Sequence, residues 1–274
     1  MITLPASPAA PEMPMAASGY YMTARERITL LNVPLDIIDE EQLPFIINEL
    51  LQNKQAKNIV LLSLWDLLRA RRNKDYHAYV TNAALVIPIS KSLVSGAQFL
   101  TGKKIKRFMP FNFIVKLLIT LEERELSVYL LGGKTKILKK TENNIRATFP
   151  RLHIVGRYEG GFRKQEAAII IKAIRKAGPS LLMVGKGVRG EEQWIAHHEA
   201  NLNRGLRLWC SDIYEVFAKK QLHPSDFTFD HGFDWFGVCL QHPLRFFRFF
   251  SYLRYNMLLL GYRLFKREKQ QASA

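Results

Sequence analysis

From about residue 26 the chain alternates short, continuously apolar runs with longer amphipathic stretches. Ile28–Val33 reads as a first strand and residues 40–53 as a helix. Asn58–Ser63 is a second strand, followed by a basic helix through Arg69, Arg71 and Arg72. Ala84–Pro88 runs into a helix over 91–100, and Leu126–Leu131 ends at Gly132-Gly133 before a lysine-rich helix reaching Phe149. His153–Gly156, a helix over 163–177, Ser180–Val184, Leu206–Cys210 and a helix over 212–220 complete the series. Apolar strands separated by helices imply a parallel sheet buried on both faces. The predicted fold class is therefore α/β, a Rossmann-like, mostly parallel sheet with helices on both faces, over residues 26–222.

The pattern changes after Pro224. Aromatic residues (Trp235, Phe236, Phe246, Phe247, Phe249, Phe250, Tyr252, Tyr255) interleave with Arg245, Arg248, Arg254, Arg263 and Lys266, without strand punctuation. This predicts a helical, basic-aromatic appendage over 223–274. Aromatics beside cations suit single-stranded nucleic acid or a helix lying in an anionic membrane interface. Leu258-Leu259-Leu260 and the phenylalanines favour the membrane, with Arg245, Phe246, Phe247, Arg248 and Arg254 as the contacting residues and no nucleic acid expected. The first 25 residues, rich in Pro, Ala, Ser and Met, lack a basic start and an apolar core, so a flexible tail is expected rather than a signal peptide.

Composition narrows the partners. The 274 residues carry 40 Lys and Arg against 24 Asp and Glu, a net charge of +16. Such an excess calls for negatively charged partners: phosphorylated substrates, lipid headgroups or nucleic acid. No stretch reaches the roughly 18 apolar residues that span a bilayer, so a cytoplasmic, peripheral protein is expected. Cys210 and Cys239 sit in apolar surroundings without metal-ligand spacing, as buried thiols do. Self-association is left open.

The stretch Val184–Ile195 carries the densest candidate chemistry. A strand exits on Gly185 and Gly187, between which stands Lys186; Arg189, Glu191, Glu192 and Trp194 follow at a helix start. Glycines there admit a ligand close to the backbone, and the helix start favours anions; glycine-rich turns also serve as tight connections. Gly132-Gly133 is a similar turn, and Ser90-Lys91-Ser92 is either a phosphate-cradling turn or an ordinary helix cap. Trp194 packs in the core or lines the cleft. Arg69, Arg71 and Arg72 form a solvated helix face or part of a lipid-phosphate track. His197 and His198 are adjacent on one helix and point apart, unlike a metal pair. No Asp-x-Asp sits at a strand end, so a metal-independent mechanism is expected, with protein cations stabilising the leaving group.

Taken in order, several motifs resemble the WecG/TagA/CpsF glycosyltransferase family over residues 26–255. They are Arg69-Ala70-Arg71-Arg72, Tyr129-Leu130-Leu131-Gly132-Gly133-Lys134, Phe149-Pro150 through Gly156, Gly160-Gly161-Phe162, Gly178-Pro179, Gly185–Gly187 through Trp194-Ile195, Gly232–Trp235 and Gln241–Arg245. The resemblance implies transfer of a sugar, of N-acetylmannosamine, uronic acid or hexose type, from a nucleotide-sugar to a polyprenyl-diphosphate-linked acceptor in cell-surface polysaccharide synthesis. The donor, UDP-linked by this resemblance, is a substrate; no resident cofactor is implied. It also implies a C-terminal appendage that seats the enzyme on the inner face of the membrane and helps complete the site.

The departures bear on chemistry. Leu61-Leu62-Ser63 stands where the family carries Thr-Pro-Asn, and Pro88-Ile89-Ser90 replaces a turn whose Asp is the family's presumed base. Glu191 replaces a Gln, Glu215 an Asp, and Val238 an Arg. Proton removal by a carboxylate is worth about 10²–10⁴-fold, and neither Ile89 nor Ser90 supplies one. Two accounts follow. In one the site is rebuilt: Glu191, Glu192 or Glu215 is the base, while Ser90, Lys91, Ser92, Gly132, Gly133, Gly185, Lys186, Gly187, Arg189 and Trp194 bind substrate. In the other the chain binds nucleotide-sugar, or assembles with a partner enzyme, without turnover.

Overall fold

The computed structural model describes residues 25–52, 56–202, 205–219 and 248–271. Its centre is a six-stranded, all-parallel sheet of β3 (Ala56–Leu62), β4 (Leu85–Pro88), β5 (Ser127–Leu131), β6 (His153–Tyr158), β7 (Leu181–Gly185) and β8 (Gly205–Ser211). The spatial order is β4-β3-β8-β7-β5-β6. Alternation along each strand divides the core in two. Val60, Leu62, Val86, Tyr129, Leu131, Leu182 and Val184 face one layer; Ile59, Ile87, Val128, Leu130, Met183, Leu208 and Cys210 face the other. Burial on both faces is what makes these strands continuously apolar in sequence.

On the first face lie α2 (Leu64–Ala70), α3 (Lys74–Thr81), α4 (Lys91–Thr101), α7 (Ala167–Ala177), α8 (Glu192–His197) and the C-terminal α10 (Arg248–Gln271). On the second lie α1 (Leu43–Gln52), α5 (Pro110–Glu123), α6 (Thr135–Thr148) and α9 (Ile213–Phe217). Local signals set the ends. Ser63 and Asp66 form a capping box on α2, and Asn73 Oδ1 accepts from Tyr76 N at the start of α3. Left-handed Gly102 and Gly178 close α4 and α7. Helix α5, opened by Pro110, has no counterpart among the predicted elements.

One predicted strand is corrected. Ile28–Val33 is not a member of the parallel sheet. Leu31 and Asn32 have φ of 50° and 68° and turn the chain, so that β1 (Glu26–Leu30) and β2 (Val33–Ile37) form a separate antiparallel hairpin. Two positive-φ residues make the tight hairpin turn whose twist matches the strands. Asp36 anchors the hairpin beside β4. Its carboxylate is fully buried, accepts from Arg27 Nε at 2.8 Å and from Val86 N at 2.6 Å, and lies 3.5 Å from Arg25 Nε.

Helix α10 docks through one face. Tyr255 and Leu259 are buried against α4, and Tyr252 meets Trp65 of α2 edge-on at 5.8 Å between centroids. Phe250, Leu253, Met257, Leu260 and Leu264 are exposed. At 100° per residue they lie opposite Tyr255, so the helix carries a second apolar stripe besides the docked one. No helix among the described residues is long and apolar enough to cross a membrane. Arg245, Phe246, Phe247 and Cys239 lie outside the described residues, as does nearly all of the predicted N-terminal tail; Arg248 opens α10 and Arg254 is exposed on it.

Candidate functional site

A crevice of about 490 Å³ opens beyond the C-terminal ends of β3 and β8. That edge is where open α/β sheets take ligands, because loops rather than side-chain layers cover it. Ser63, Trp65, Asp66 and Arg69 of the β3–α2 segment form one wall, and Tyr76 and Tyr79 of α3 another. Ile89 follows β4, Trp209 to Ser211 form the end of β8 with Asp212 and Ile213 after it, and Glu191 and Glu192 come from the start of α8.

Glu192 is the focus of the polar groups. It is 6% exposed, and its Oε1 accepts from Arg69 Nη1 at 3.0 Å. Its buried Oε2 has no hydrogen-bond partner. Burial raises its pKa above the usual carboxylate range, while Arg69 and the nearby Tyr76 hydroxyl favour the charged form. Arg69 is held in turn by stacking over the Tyr76 ring, 4.5 Å from guanidinium carbon to centroid. Asp66 is a second buried carboxyl. Burial raises it too, against hydrogen bonds from Ser63 N at 2.8 Å and Ser63 Oγ at 2.5 Å. Glu191 is exposed at the mouth with φ 53° and ψ −131°, a conformation costly for a residue with a Cβ and typical of constrained functional turns.

Among the described residues the lining holds the carboxylates of Asp66, Glu191, Glu192 and Asp212 against the guanidinium of Arg69. In a chain of charge +16 this acidity is a local feature. Cys210, also on the wall, is spent structurally: its thiol meets Val184 O at 3.3 Å, and burial pushes its pKa well up.

Of the sequence-predicted site residues, Glu191 and Glu192 meet in this crevice. Glu215 lies on α9 outside the lining, with Oε2 buried and unpartnered. Ser90, Lys91 and Ser92 start α4, where Ser90 makes no side-chain cap bond and its Oγ is buried without a partner. Lys186, Gly187 and Arg189 are exposed in the loop that leads to Glu191. Trp194 is a core residue, edge-on to Phe162 and His198.

The glycine turns find their physical reason in one another. Gly133 N donates to Lys186 O at 2.6 Å, Gly160 N to Gly133 O at 2.8 Å and Gly161 N to Gly187 O at 2.7 Å. A Cβ on Gly132 would fall 2.5 Å from Gly185 O, and one on Gly160 2.9 Å from the carbonyl carbon of Gly187. The close approach these residues permit is between the loops after β5, β6 and β7.

Sequence reading missed Asp66, Tyr76 and Tyr79. Asp66 is the N3 member of the α2 capping box, and both tyrosines are buried on α3. It also missed Arg207, a 2% exposed residue on β8 whose Nη2 meets Glu199 Oε1 at 2.6 Å, with Asn58 Nδ2 on the same oxygen at 3.2 Å. A charged residue inside an otherwise apolar strand was the available signal. Among the described residues no group of three or more His, Cys, Asp or Glu is placed to hold a metal ion.

A doubly covered parallel sheet with ionisable groups gathered at its C-terminal edge defines an α/β enzyme. Residues 28–272 match the glycosyl transferase WecG/TagA/CpsF family. A protein of Bacillus subtilis (strain 168) named N-acetylglucosaminyldiphosphoundecaprenol N-acetyl-beta-D-mannosaminyltransferase is 19% identical over 191 residues, 70% of this chain and 74% of that protein. One of the same name from Bacillus spizizenii is 23% identical over 231 residues, 82% and 88% of the two chains. The chain belongs to the WecG/TagA/CpsF family and is a glycosyltransferase.

Proposed function

We propose that the enzyme transfers an N-acetylmannosamine-type sugar from a UDP-sugar to a polyprenyl-diphosphate-linked acceptor, with Glu192 as the base. Family membership and the names of both relatives support the acceptor class. The single observation that carries the catalytic assignment is the unpartnered Oε2 of a buried, ion-paired Glu192 in the crevice. The acceptor hydroxyl oxygen bonds to the anomeric carbon as the bond from that carbon to the diphosphate breaks. The hydroxyl proton passes to Glu192 Oε2, and the nucleoside diphosphate leaves with the bonding pair. Lys186 and Arg189, in the loop that carries Glu191, take the diphosphate charge.

The exposed apolar face of α10, with Arg254 beside it, supports seating on the anionic inner face of the membrane, where such acceptors are embedded. Incubation with UDP-N-acetylmannosamine and a polyprenyl-diphosphate-linked N-acetylglucosamine in anionic vesicles tests the reading. Turnover supports it. Donor binding without turnover across a panel of sugars and acceptors supports instead a binding or assembly role, which the replacement of the family's Asp turn by Ile89-Ser90 favours.

A further inference from the structure

Arg69, read from the sequence as part of a solvated helix face or a lipid-phosphate track, is the cation on the crevice wall among the described residues. It stands at the end of α2 and joins three elements. Its guanidinium stacks on Tyr76 of α3, a ring only 1% exposed, and its Nη1 donates to Glu192 at the start of α8. A guanidinium can do both at once, because its flat face stacks while its in-plane N–H groups donate; an ammonium cannot. Asp66 lies one turn earlier on the same helix, so Arg69 serves two buried carboxyls.

We infer that Arg69 is the positioning residue of the transfer reaction: by occupying Oε1 of Glu192 and supplying the compensating charge, it presents Oε2 as the ionised base. The inference rests on Glu192 being that base. An ion pair that only tied α2 to α8 would engage either oxygen equally well and need not lie in the crevice. This one leaves the buried Oε2 without a hydrogen-bond partner, in a side chain that lines a void large enough for a substrate. The groups that face Glu192 are Asp66 and Arg69 from α2 and Tyr76 and Tyr79 from α3. Arg69 is the one cation among them, and Tyr76 the one neutral group that favours the charge.

The test is the pH profile of kcat/KM in the vesicle assay for wild type, Arg69→Met, Arg69→Lys and Glu192→Gln, with a parallel titration of the Glu192 carboxyl by ¹³C NMR, assigned by its loss in Glu192→Gln. Arg69→Met is expected to move the acidic limb and the Glu192 titration up by about one pH unit or more and to lower kcat about 10–100-fold. Arg69→Lys should recover part of both, and KM for the donor should stay within about threefold, the mark of an effect on the base rather than on binding. An unmoved limb and titration in a folded Arg69→Met overturn the inference. If that variant does not fold, Arg69→Lys decides it, since a wild-type profile there is equally fatal. A fully active Glu192→Gln overturns the reading of the base and this inference together. An inactive Glu192→Gln beside an unmoved Arg69→Met overturns the inference alone.

Discussion

The Tyr255 hydroxyl of α10 donates to the Ser92 carbonyl of α4 at 2.9 Å, although the two residues lie 163 positions apart. The bond fixes the C-terminal helix to the helix that follows Ile89 of the crevice. Gly96 makes the contact possible, because the Tyr255 ring and hydroxyl occupy the place of its missing Cβ. Gly96→Val is therefore expected to detach α10, seen as rapid proteolysis within 248–271. Tyr255→Phe removes only the hydrogen bond and should cost about 1 kcal/mol.

The exposed stripe of α10 leads to a second expectation. Replacing Leu253, Met257 and Leu260 together by Asp should abolish sedimentation with anionic vesicles and leave the thermal midpoint nearly unchanged, since none of the three is buried. Retained vesicle binding would show that another surface carries the attachment.

Asp36 should be a stability residue with no catalytic signature. Asp36→Ala leaves the Val86 amide unpaired and sets two arginines against each other at the hairpin, at a cost of about 3 kcal/mol. Denaturant unfolding measures it, and kcat of the folded fraction should be unaltered.

Burial raises the carboxyl of Glu192. A carboxyl whose pKa is higher folded than unfolded binds more protons in the folded state, so its contribution to stability is lost as pH rises from the unfolded value through the folded one. Asp66 behaves in the same way. The thermal midpoint of Glu192→Gln should therefore gain on that of wild type as pH rises from about 4.3 toward neutrality. A constant difference across that range would contradict the raised value.

Legibility followed the range of the interactions. The central strands were readable because burial on both faces leaves a nearly uninterrupted apolar run, as in Leu181–Gly185 and Ser127–Leu131. The hairpin was not, since Leu31 and Asn32 sit inside such a run; Asn32, a residue type that tolerates positive φ, was the one local mark, and Leu31 gave none. Glu191 and Glu192 were readable as acids at a helix start. Arg69 was not, because its role depends on α8 arriving from 123 residues away to place Glu192 beside it. The glycines were read as points where a ligand approaches; in the structure Gly132 and Gly160 are approached by other turns, and Gly133 and Gly185 by the Tyr214 side chain. Ile89 lines the crevice after β4, and a carboxylate reaches the same crevice from α8.

The most direct measurement is the single-turnover rate of sugar transfer by Glu192→Gln under saturating donor and acceptor. With donor affinity intact, the rate should fall about 10²–10⁴-fold relative to wild type, the worth of a positioned proton acceptor. Transfer at the wild-type rate would show that the proton leaves by another group and that this crevice is not where the glycosidic bond is made.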